Sequence, residues 1–469
     1  MKIWINNPFD FLPGEGARLQ RYGLLAQALV KAGHQVVWWS SDWNHIKKEK
    51  REGASDRSPV QMGETPRQGE ADPEIRLIKT LPYFKNIGLR RLLSHWLYAR
   101  AWERLAWNEQ EMPDLIICSA PPLSTGWVMR RLCSRFGCAG VIDVMDVWPE
   151  TFERVAPAWM LWPLRWMAKR VYAGADGISA VGDSYLEVVK GYLEECANAR
   201  MRECGNKHAL RTSVYTMSER SFEASGAGAR SGIPRWSGNG SETPRQGKPM
   251  YRCYHGIEMG GESRGERSLA RADGPLRLVY VGNMGKGYDL VTLVRAVAEM
   301  IDEGHAISLD LAGKGEQEEK LQALARTTRE NIRFHGVVTG DALCALIAQA
   351  DVGVVPMFEK TYVAVPYKLA DYAAAGLPVM SSLKGETEEL IKRYDAGWCY
   401  EAGDILSLKR AIQACGAERL SPNGQLRKQR ARQMAEEHFD AGKIYPDFVA
   451  WLEKIVAAKG VKGEKLGAL

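Results

Sequence analysis

The chain restarts its own opening pattern halfway along, and that repetition limits the folds open to it. Residues 3–6 form an apolar run, followed by Pro13-Gly14-Glu15-Gly16, then Leu19, Tyr22, Leu25, Ala26 and Leu29 at helical spacing, then a second apolar run at 34–39. Residues 276–281, the loop Gly282-Asn283-Met284-Gly285-Lys286-Gly287 and a periodic stretch from Asp289 through Met300 repeat that order of strand, glycine-bearing loop and helix. Apolar positions at a period near 3.6 between two apolar runs mark a βαβ unit. Short apolar runs at 114–118 and 140–144 in the first half, and at 307–313, 332–336 and 351–356 in the second, read as buried parallel strands. The expected class is α/β, with two Rossmann-like domains in tandem and ligands gathered at the carboxyl ends of the strands.

With 469 residues the chain is too long for one ordinary core, and two large domains plus insertions is the economical division. The first domain is expected over 1–192 with an insertion at about 48–74, a low-complexity insertion over 193–249, and the second domain over 250–428. A closing helical segment over 429–469, carrying Phe439, Tyr445, Phe448 and Trp451, is expected to return to the first domain. The two insertions are rich in Gly, Ser, Arg and Glu and share a hexapeptide, Glu64-Thr65-Pro66-Arg67-Gln68-Gly69 and Glu242-Thr243-Pro244-Arg245-Gln246-Gly247. They read as surface segments without cores of their own.

A hydrophobic share of 45% and a charged share of 26% exclude disorder of the whole chain. The net charge of +6 suits acidic partners, but no concentrated basic stripe marks a nucleic-acid binder. Nine cysteines form no CxxC pair and no Cys/His metal spacing, and their odd number points to a reduced, cytosolic setting with no metal site. Residues 1–7 read as a buried strand rather than a charged start to an apolar leader, and no apolar run reaches the roughly 20 residues that span a bilayer. The protein is therefore expected to be soluble or peripheral.

Three segments carry the chemistry. Gly14 and Gly16 follow the first strand, where glycine lets backbone approach a ligand and lets the next helix present its N-terminus to an anion. The dinucleotide pattern GxGxxG is absent there, because Leu19 stands where the last glycine belongs, which counts against a nicotinamide enzyme. Gly282, Asn283 and Lys286 lie in a loop that can cradle phosphate with backbone N–H groups and one cation. In Pro366-Tyr367-Lys368-Leu369-Ala370-Asp371-Tyr372, a helix starting near Pro366 would aim free N–H groups and Lys368 at a diphosphate, and Asp371 would accept from ribose hydroxyls.

The last segment resembles the donor-site helix of family 4 glycosyltransferases with the two-domain GT-B fold, in the bacterial surface-polysaccharide branch that reads roughly P-x-K-x-x-E-Y-x-A-x-G-x-P-V. Lys286 matches that family's diphosphate-binding lysine, in a pattern that ends in K-G-x-x-x-L or a near variant. Asp143-Val144-Met145-Asp146-Val147-Trp148-Pro149-Glu150 is similar to its R-D-L-W-P-E signature, and Ser119-Ala120-Pro121-Pro122-Leu123-Ser124-Thr125-Gly126 to its S-x-P-P-L-x-T-G loop. Met145, Asn283 and Val363 depart from the family's arginine or histidine, arginine and first glutamate.

The resemblance implies a retaining transfer of a hexosyl or acetamidohexosyl group from a nucleoside-diphosphate donor to a hydroxyl of a lipid-linked glycan, with no cofactor or metal. Asp146, Lys286 and Lys368 would be catalytic, and Gly14, Gly16, Gly282, Asn283, Lys286, Lys368 and Asp371 would bind the donor; Asp143 would be structural. The rival readings are a sugar-nucleotide epimerase of similar build and a silent membrane-associated scaffold.

Residues 89–107 and 159–172 interleave Leu, Trp and Met with Arg and Lys. That composition suits helices on the anionic inner face of the cell membrane, and equally two amphipathic helices covering the first sheet.

Overall fold

The computed structural model describes all residues except 16–17, 52–71, 86–87, 154–155, 204–247, 260–273, 329, 360 and 467–469. The first half runs β1 (Lys2–Asn6), α1 (Arg21–Lys31), β2 (Gln35–Ser41), a two-stranded hairpin of β3 (Trp43–Asn44) and β4 (Glu49–Lys50), β5 (Glu74–Ile78), α2 (Leu89–Trp107), β6 (Leu115–Ala120), α3 (Leu123–Phe136), β7 (Ala139–Val144), α4 (Ala158–Gly174), β8 (Gly177–Ala180), α5 (Asp183–Glu203) and β9 (Met250–Arg252). Among the described residues seven of these strands form one parallel sheet in the order β5-β2-β1-β6-β7-β8-β9.

The second half runs β10 (Leu276–Val281), α6 (Leu290–Asp302), β11 (Ile307–Ala312), α7 (Glu318–Leu324), β12 (Ile332–Gly336), α8 (Gly340–Ala348), β13 (Val352–Val355), α9 (Tyr367–Ala374), β14 (Val379–Ser381), α10 (Glu386–Tyr394), β15 (Gly397–Cys399) and α11 (Ile405–Glu418), then α12 (Pro422–His438) and α13 (Ala441–Leu466). Its described strands form a second parallel sheet, β12-β11-β10-β13-β14-β15. Strand order reverses between β1 and β6 in one sheet and between β10 and β13 in the other, and a crevice opens at such a point beyond the strands' carboxyl ends. The glycine loops after β1 and β10 both leave from these points.

The period-2 alternation of a strand sends Trp4 to one face of the first sheet and Ile3 and Ile5 to the other. Trp4 joins the core under α2 to α5, whereas Ile3 and Ile5 meet α1 and the Tyr445, Phe448 and Leu452 side chains of α13. Burying each such aromatic or aliphatic side chain contributes about 1.5–3 kcal/mol, so α13 is an integral layer of the first domain.

Three boundaries differ from the sequence expectation. Residues 193–203 continue α5, because Glu, Ala and Arg there favour helix, so the segment outside the described residues begins at 204. Strand β9 pairs with β8 through Ile178↔Met250, which keeps residues 250–252 in the first sheet. The closing segment is two helices: α12 buries Ala431, Met434 and Ala435 against α9 in the second domain, and only α13 crosses back. Most of the expected insertion at 48–74 and both copies of the hexapeptide lie outside the described residues. The two passages between domains hydrogen-bond each other, Ile257 N to Phe439 O at 2.7 Å and Ala441 N to Ile257 O at 2.9 Å.

Candidate functional site

Helix α9 is positioned by what its small residues allow. A Cβ on Gly353 would lie 2.3 Å from the Tyr372 ring, so the bare glycine in β13 lets α9 settle onto the sheet. Val281 N then donates to Tyr372 Oη at 2.9 Å, fixing α9 to the end of β10. Pro366 stands at the N-cap with extended backbone and no side-chain cap, as the Pro-led start predicts.

This docking places Lys368 against the second-domain glycine loop. A Cβ on Gly282, whose φ is +140°, would sit 2.8 Å from Lys368 Nζ, and one on Gly313 would sit 1.9 Å from the Gly282 carbonyl oxygen. Only glycine serves at either place. The Lys368 ammonium lies 3.9 Å from the Tyr288 ring centroid and 4.9 Å from that of Tyr280. With 9% of the residue exposed, burial pushes its pKa down to about 7, and the nearby Asp371 carboxylate opposes the shift. Cation–π contact of about 0.5–2 kcal/mol supports the charged form without saturating it.

The other expected residues of this wall are placed less uniformly. Asn283 is exposed and its carbonyl accepts from Tyr280 Oη at 2.5 Å. The loop is braced from below, Gln317 Nε2 donating to the carbonyls of Gly285 at 2.6 Å and Tyr288 at 2.9 Å. Lys286 is on this loop but 84% exposed, its ammonium 3.4 Å from Glu316, whereas Lys368 reaches the loop from α9 and is buried.

On the first-domain wall Gly14 is exposed with φ +86°, and Gly16 lies outside the described residues. Two N–H groups at the start of α1 already have acceptors within the protein. Tyr22 N donates to Asp10 Oδ2 at 3.1 Å and Arg21 N to Tyr367 Oη at 3.4 Å, so protein groups already occupy those donors.

Asp143 is fully buried and holds the end of β7 to α1. Its carboxylate takes two bonds from Arg21, at 2.7 and 2.8 Å, with further bonds from Tyr22 Oη and Ser179 Oγ. Burial works to raise its pKa, but the Arg21 charge and these donors hold it below the usual carboxylate range. Arg21 also donates to the carbonyls of Cys253 and Tyr254, which ties the passage between domains to the first sheet. This is a structural pair; removing one partner of such a buried pair costs about 3–5 kcal/mol.

Asp146, three residues on, accepts from Thr151 Oγ1 at 2.8 Å and Trp148 Nε1 at 3.2 Å, and burial raises its pKa against those bonds and the Arg91 charge. Met145 is half-buried and packs into both cores of the first domain.

Residues the sequence reading did not single out join the two walls. Arg18, two positions beyond Gly16, forms an ion pair with Asp371. His255 stacks on Tyr367 at 3.7 Å between ring centroids. Glu386 accepts from the N-terminus of α5 in the other domain, from Asp183 N at 2.9 Å, and also from Tyr254 Oη at 2.5 Å. Among the described residues no group of three His, Cys, Asp or Glu is arranged to hold a metal ion, and no helix is long and apolar enough to cross a membrane.

Residues 275–417 match the family model described as glycosyl transferases group 1, a span that holds the glycine loop, Lys368 and Asp371. An uncharacterized glycosyltransferase of Methanocaldococcus jannaschii is 31% identical over 137 residues, covering 29% of this chain and 34% of that protein. WcaL of Escherichia coli K12, provisionally named a colanic acid biosynthesis glycosyltransferase, is 22% identical over 189 residues, covering 39% of this chain and 46% of that one. The chain thus spans about a third of one curated relative and under half of the other. Among solved structures, Anabaena HepE in complex with UDP and glucose superposes with a TM-score of 0.59 at 13% identity, over 97% of this chain and 100% of that one. The architecture is the GT-B fold of glycosyltransferases.

Proposed function

We propose that this chain is a retaining glycosyltransferase that moves a hexosyl or acetamidohexosyl group from a nucleoside-diphosphate donor to a hydroxyl of a lipid-linked glycan during polysaccharide biosynthesis. The observation that carries this reading is the placement of Lys368. A buried ammonium at the start of α9 lies against the glycine loop after β10, one turn before Asp371, inside the span matched by group 1 glycosyl transferases.

The reaction breaks the bond from the sugar C1 to the diphosphate, whose leaving oxygen keeps the electron pair, and forms a bond from C1 to the acceptor oxygen as that hydroxyl passes its proton to the departing diphosphate oxygen. The protein's task is to offset charge growing on the diphosphate. Lys368, the N–H groups at the start of α9 and the loop of Gly282 and Asn283 supply that, with Lys286 reaching in from the rim when donor is bound. Asp371 holds the ribose, and Asp146 orients the acceptor hydroxyl from the first domain. The UDP and glucose in the HepE structure and the name of WcaL support the donor and acceptor classes.

The surface of the first domain supports a membrane-bound acceptor on the cytoplasmic side. Helices α2 and α4 both pack on α3 and leave Leu89, Trp96, Trp159 and Trp162 exposed, at 84%, 53%, 76% and 67%. Arg100 and Arg170 lie over the rings of Trp96 and Trp166. Exposed aromatic and apolar groups beside arginines suit an anionic interface. A panel of nucleotide-sugars screened by thermal shift, followed by nucleotide release with and without a polyprenyl-diphosphate-linked sugar, tests the reading. Acceptor-dependent release with an unchanged anomer is expected; turnover of the donor to an epimer without acceptor overturns it.

A further inference from the structure

We propose that Tyr288, with Tyr280 beside it, is a positioning residue for the donor's diphosphate: the two rings form an aromatic seat that holds the Lys368 ammonium against the glycine loop, where the phosphates arrive. The inference rests on the transferase reading above and assigns a further residue to that site.

Three elements assemble the seat. Tyr280 lies in β10, two residues before Gly282, Tyr288 immediately precedes the Asp289 cap of α6, and Lys368 is in the first turn of α9. The Tyr280 and Tyr288 ring centroids are 6.0 Å apart with their planes at 71°, so the rings make two walls of a corner. Lys368 Nζ stands over both, 3.9 Å from the Tyr288 centroid and 4.9 Å from that of Tyr280. The negative face of each ring attracts the ammonium, and two such faces hold a cation in a largely apolar place without a carboxylate.

That last point bears on the ligand. Among the described residues no carboxylate forms an ion pair with Lys368, and Asp371, whose charge acts on it from one turn along the same helix, is itself paired with Arg18. A lysine engaged by an acid would have to leave it before meeting phosphate. One seated on rings keeps them at its back while its front takes the anion. Gly282 leaves room for that approach, since a Cβ there would lie 2.8 Å from Nζ.

The seat is itself firmly held. Tyr288 N donates to the Gly285 carbonyl at 3.1 Å, and its own carbonyl accepts from Gln317 Nε2 at 2.9 Å. Tyr288 also bridges to Met357 beyond β13, and Asp289, the next residue, donates its N–H to the Pro356 carbonyl at 3.1 Å and accepts from Gly403 N at 2.7 Å. The Tyr280 hydroxyl donates to the Asn283 carbonyl at 2.5 Å, which fixes the second wall to the loop. Tyr288 packs against two cores of the second domain, and burial alone raises the pKa of its phenol. Among the described residues none hydrogen-bonds the Tyr288 hydroxyl, so what this position supplies is the ring.

Fluorination of that ring tests the assignment. Isothermal titration of the full chain with UDP, ADP, GDP and dTDP first identifies the tightest diphosphate. Fluorine withdraws electron density from the ring face with little change of size, so Tyr288→Phe followed by Tyr288→trifluorophenylalanine and Tyr288→pentafluorophenylalanine weakens the attraction in steps. Tyr288→Phe should bind within about twofold of the parent and the pentafluorinated ring about threefold to tenfold more weakly, the scale of a lost cation–π contact. Lys368→Ala should weaken binding further and abolish the dependence on fluorine. If Lys368→Ala binds like the parent, or if none of the four nucleotides binds, the donor reading fails and the seat with it. If Lys368→Ala weakens binding while the fluorinated series stays flat, the donor reading stands and this inference alone is overturned. Fluorine dependence that persists in Lys368→Ala, or tighter binding as fluorine is added, also overturns it, because the ring would then meet the ligand itself or hold the ammonium away from it. The fluorinated rings keep the shape of phenylalanine, so the series decides without a cavity-forming variant.

Discussion

Arg18 of the first domain and Asp371 of the second form an ion pair across the cleft, joining the loop after β1 to the carboxylate proposed to hold ribose. Both side chains keep water contact, at 40% and 22% exposure, so the pair is worth about 0.2–1 kcal/mol. A ribose that takes Asp371 must displace the guanidinium, which is then free to turn toward the diphosphate.

A double-mutant cycle of Arg18→Ala and Asp371→Asn reads this directly. Urea unfolding of the free protein should give a coupling of about 0.2–1 kcal/mol, and the coupling should vanish with saturating nucleoside diphosphate. Coupling that survives ligand saturation would mean that ribose binds elsewhere.

In the proposed function Lys368 should set the pH dependence of donor binding. With its free-state pKa near 7, the ammonium is partly neutral above that pH, and a bound diphosphate restores the proton. Binding should therefore take up protons at pH 7.5–8.5 and weaken as pH rises, in titrations run in buffers of different ionisation enthalpy. The stability term has its own sign. The folded pKa lies below the unfolded value of 10.5, so between about pH 7 and 10 the unfolded chain holds more protons and stability rises with pH. Lys368→Met should remove the proton uptake and flatten that rise; uptake that persists in the variant places the titrating group elsewhere.

The two sheets were legible because a strand buried on both faces has to be nearly all apolar and each glycine loop marks where it ends. Lys368 and Asp371 were legible for a local reason, since one helix start fixes both. Arg18 carried no such signal: a single arginine after a glycine loop has no spacing to read, and its partner is 353 positions away. The helix over 193–203 has its signal in Glu, Ala, Arg and Met, which favour helix even where they resemble low-complexity sequence. The break between α12 and α13 lies where Phe439 packs on the second domain while Tyr445 packs on the first, and periodicity alone shows no boundary there.

Asp371 and Asp146 should separate kinetically. A carboxylate gripping ribose acts alike in ground and transition states, so Asp371→Asn should raise KM for the nucleotide-sugar with kcat nearly kept. Asp146 lies in the first domain, held by Thr151 and Trp148, and Asp146→Asn should lower kcat with donor KM kept. Steady-state kinetics showing one shared pattern for both variants would remove the division of labour between the walls.

The apolar and basic face of the first domain predicts where the protein sits. Trp159 and Trp162 begin α4 with their rings in water, and Leu89 begins α2 in the same state, an expense that burial in an interface recovers at about 25 cal/mol per Å². Arginines beside them add about 1 kcal/mol each near an anionic surface. In vesicle sedimentation the protein should bind phosphatidylcholine containing phosphatidylglycerol more tightly than phosphatidylcholine alone. Raising salt from about 0.1 M to about 1 M should weaken that binding, as the Debye length falls from about 10 to about 3 Å. Trp159→Ala with Trp162→Ala should weaken binding to both vesicle types, because the apolar contribution does not depend on lipid charge. The electrostatic and apolar contributions thus answer to different changes. Equal partitioning onto charged and neutral vesicles would eliminate the first, and unchanged partitioning of the double variant would eliminate the second, leaving α2 and α4 as ordinary covers of the first sheet.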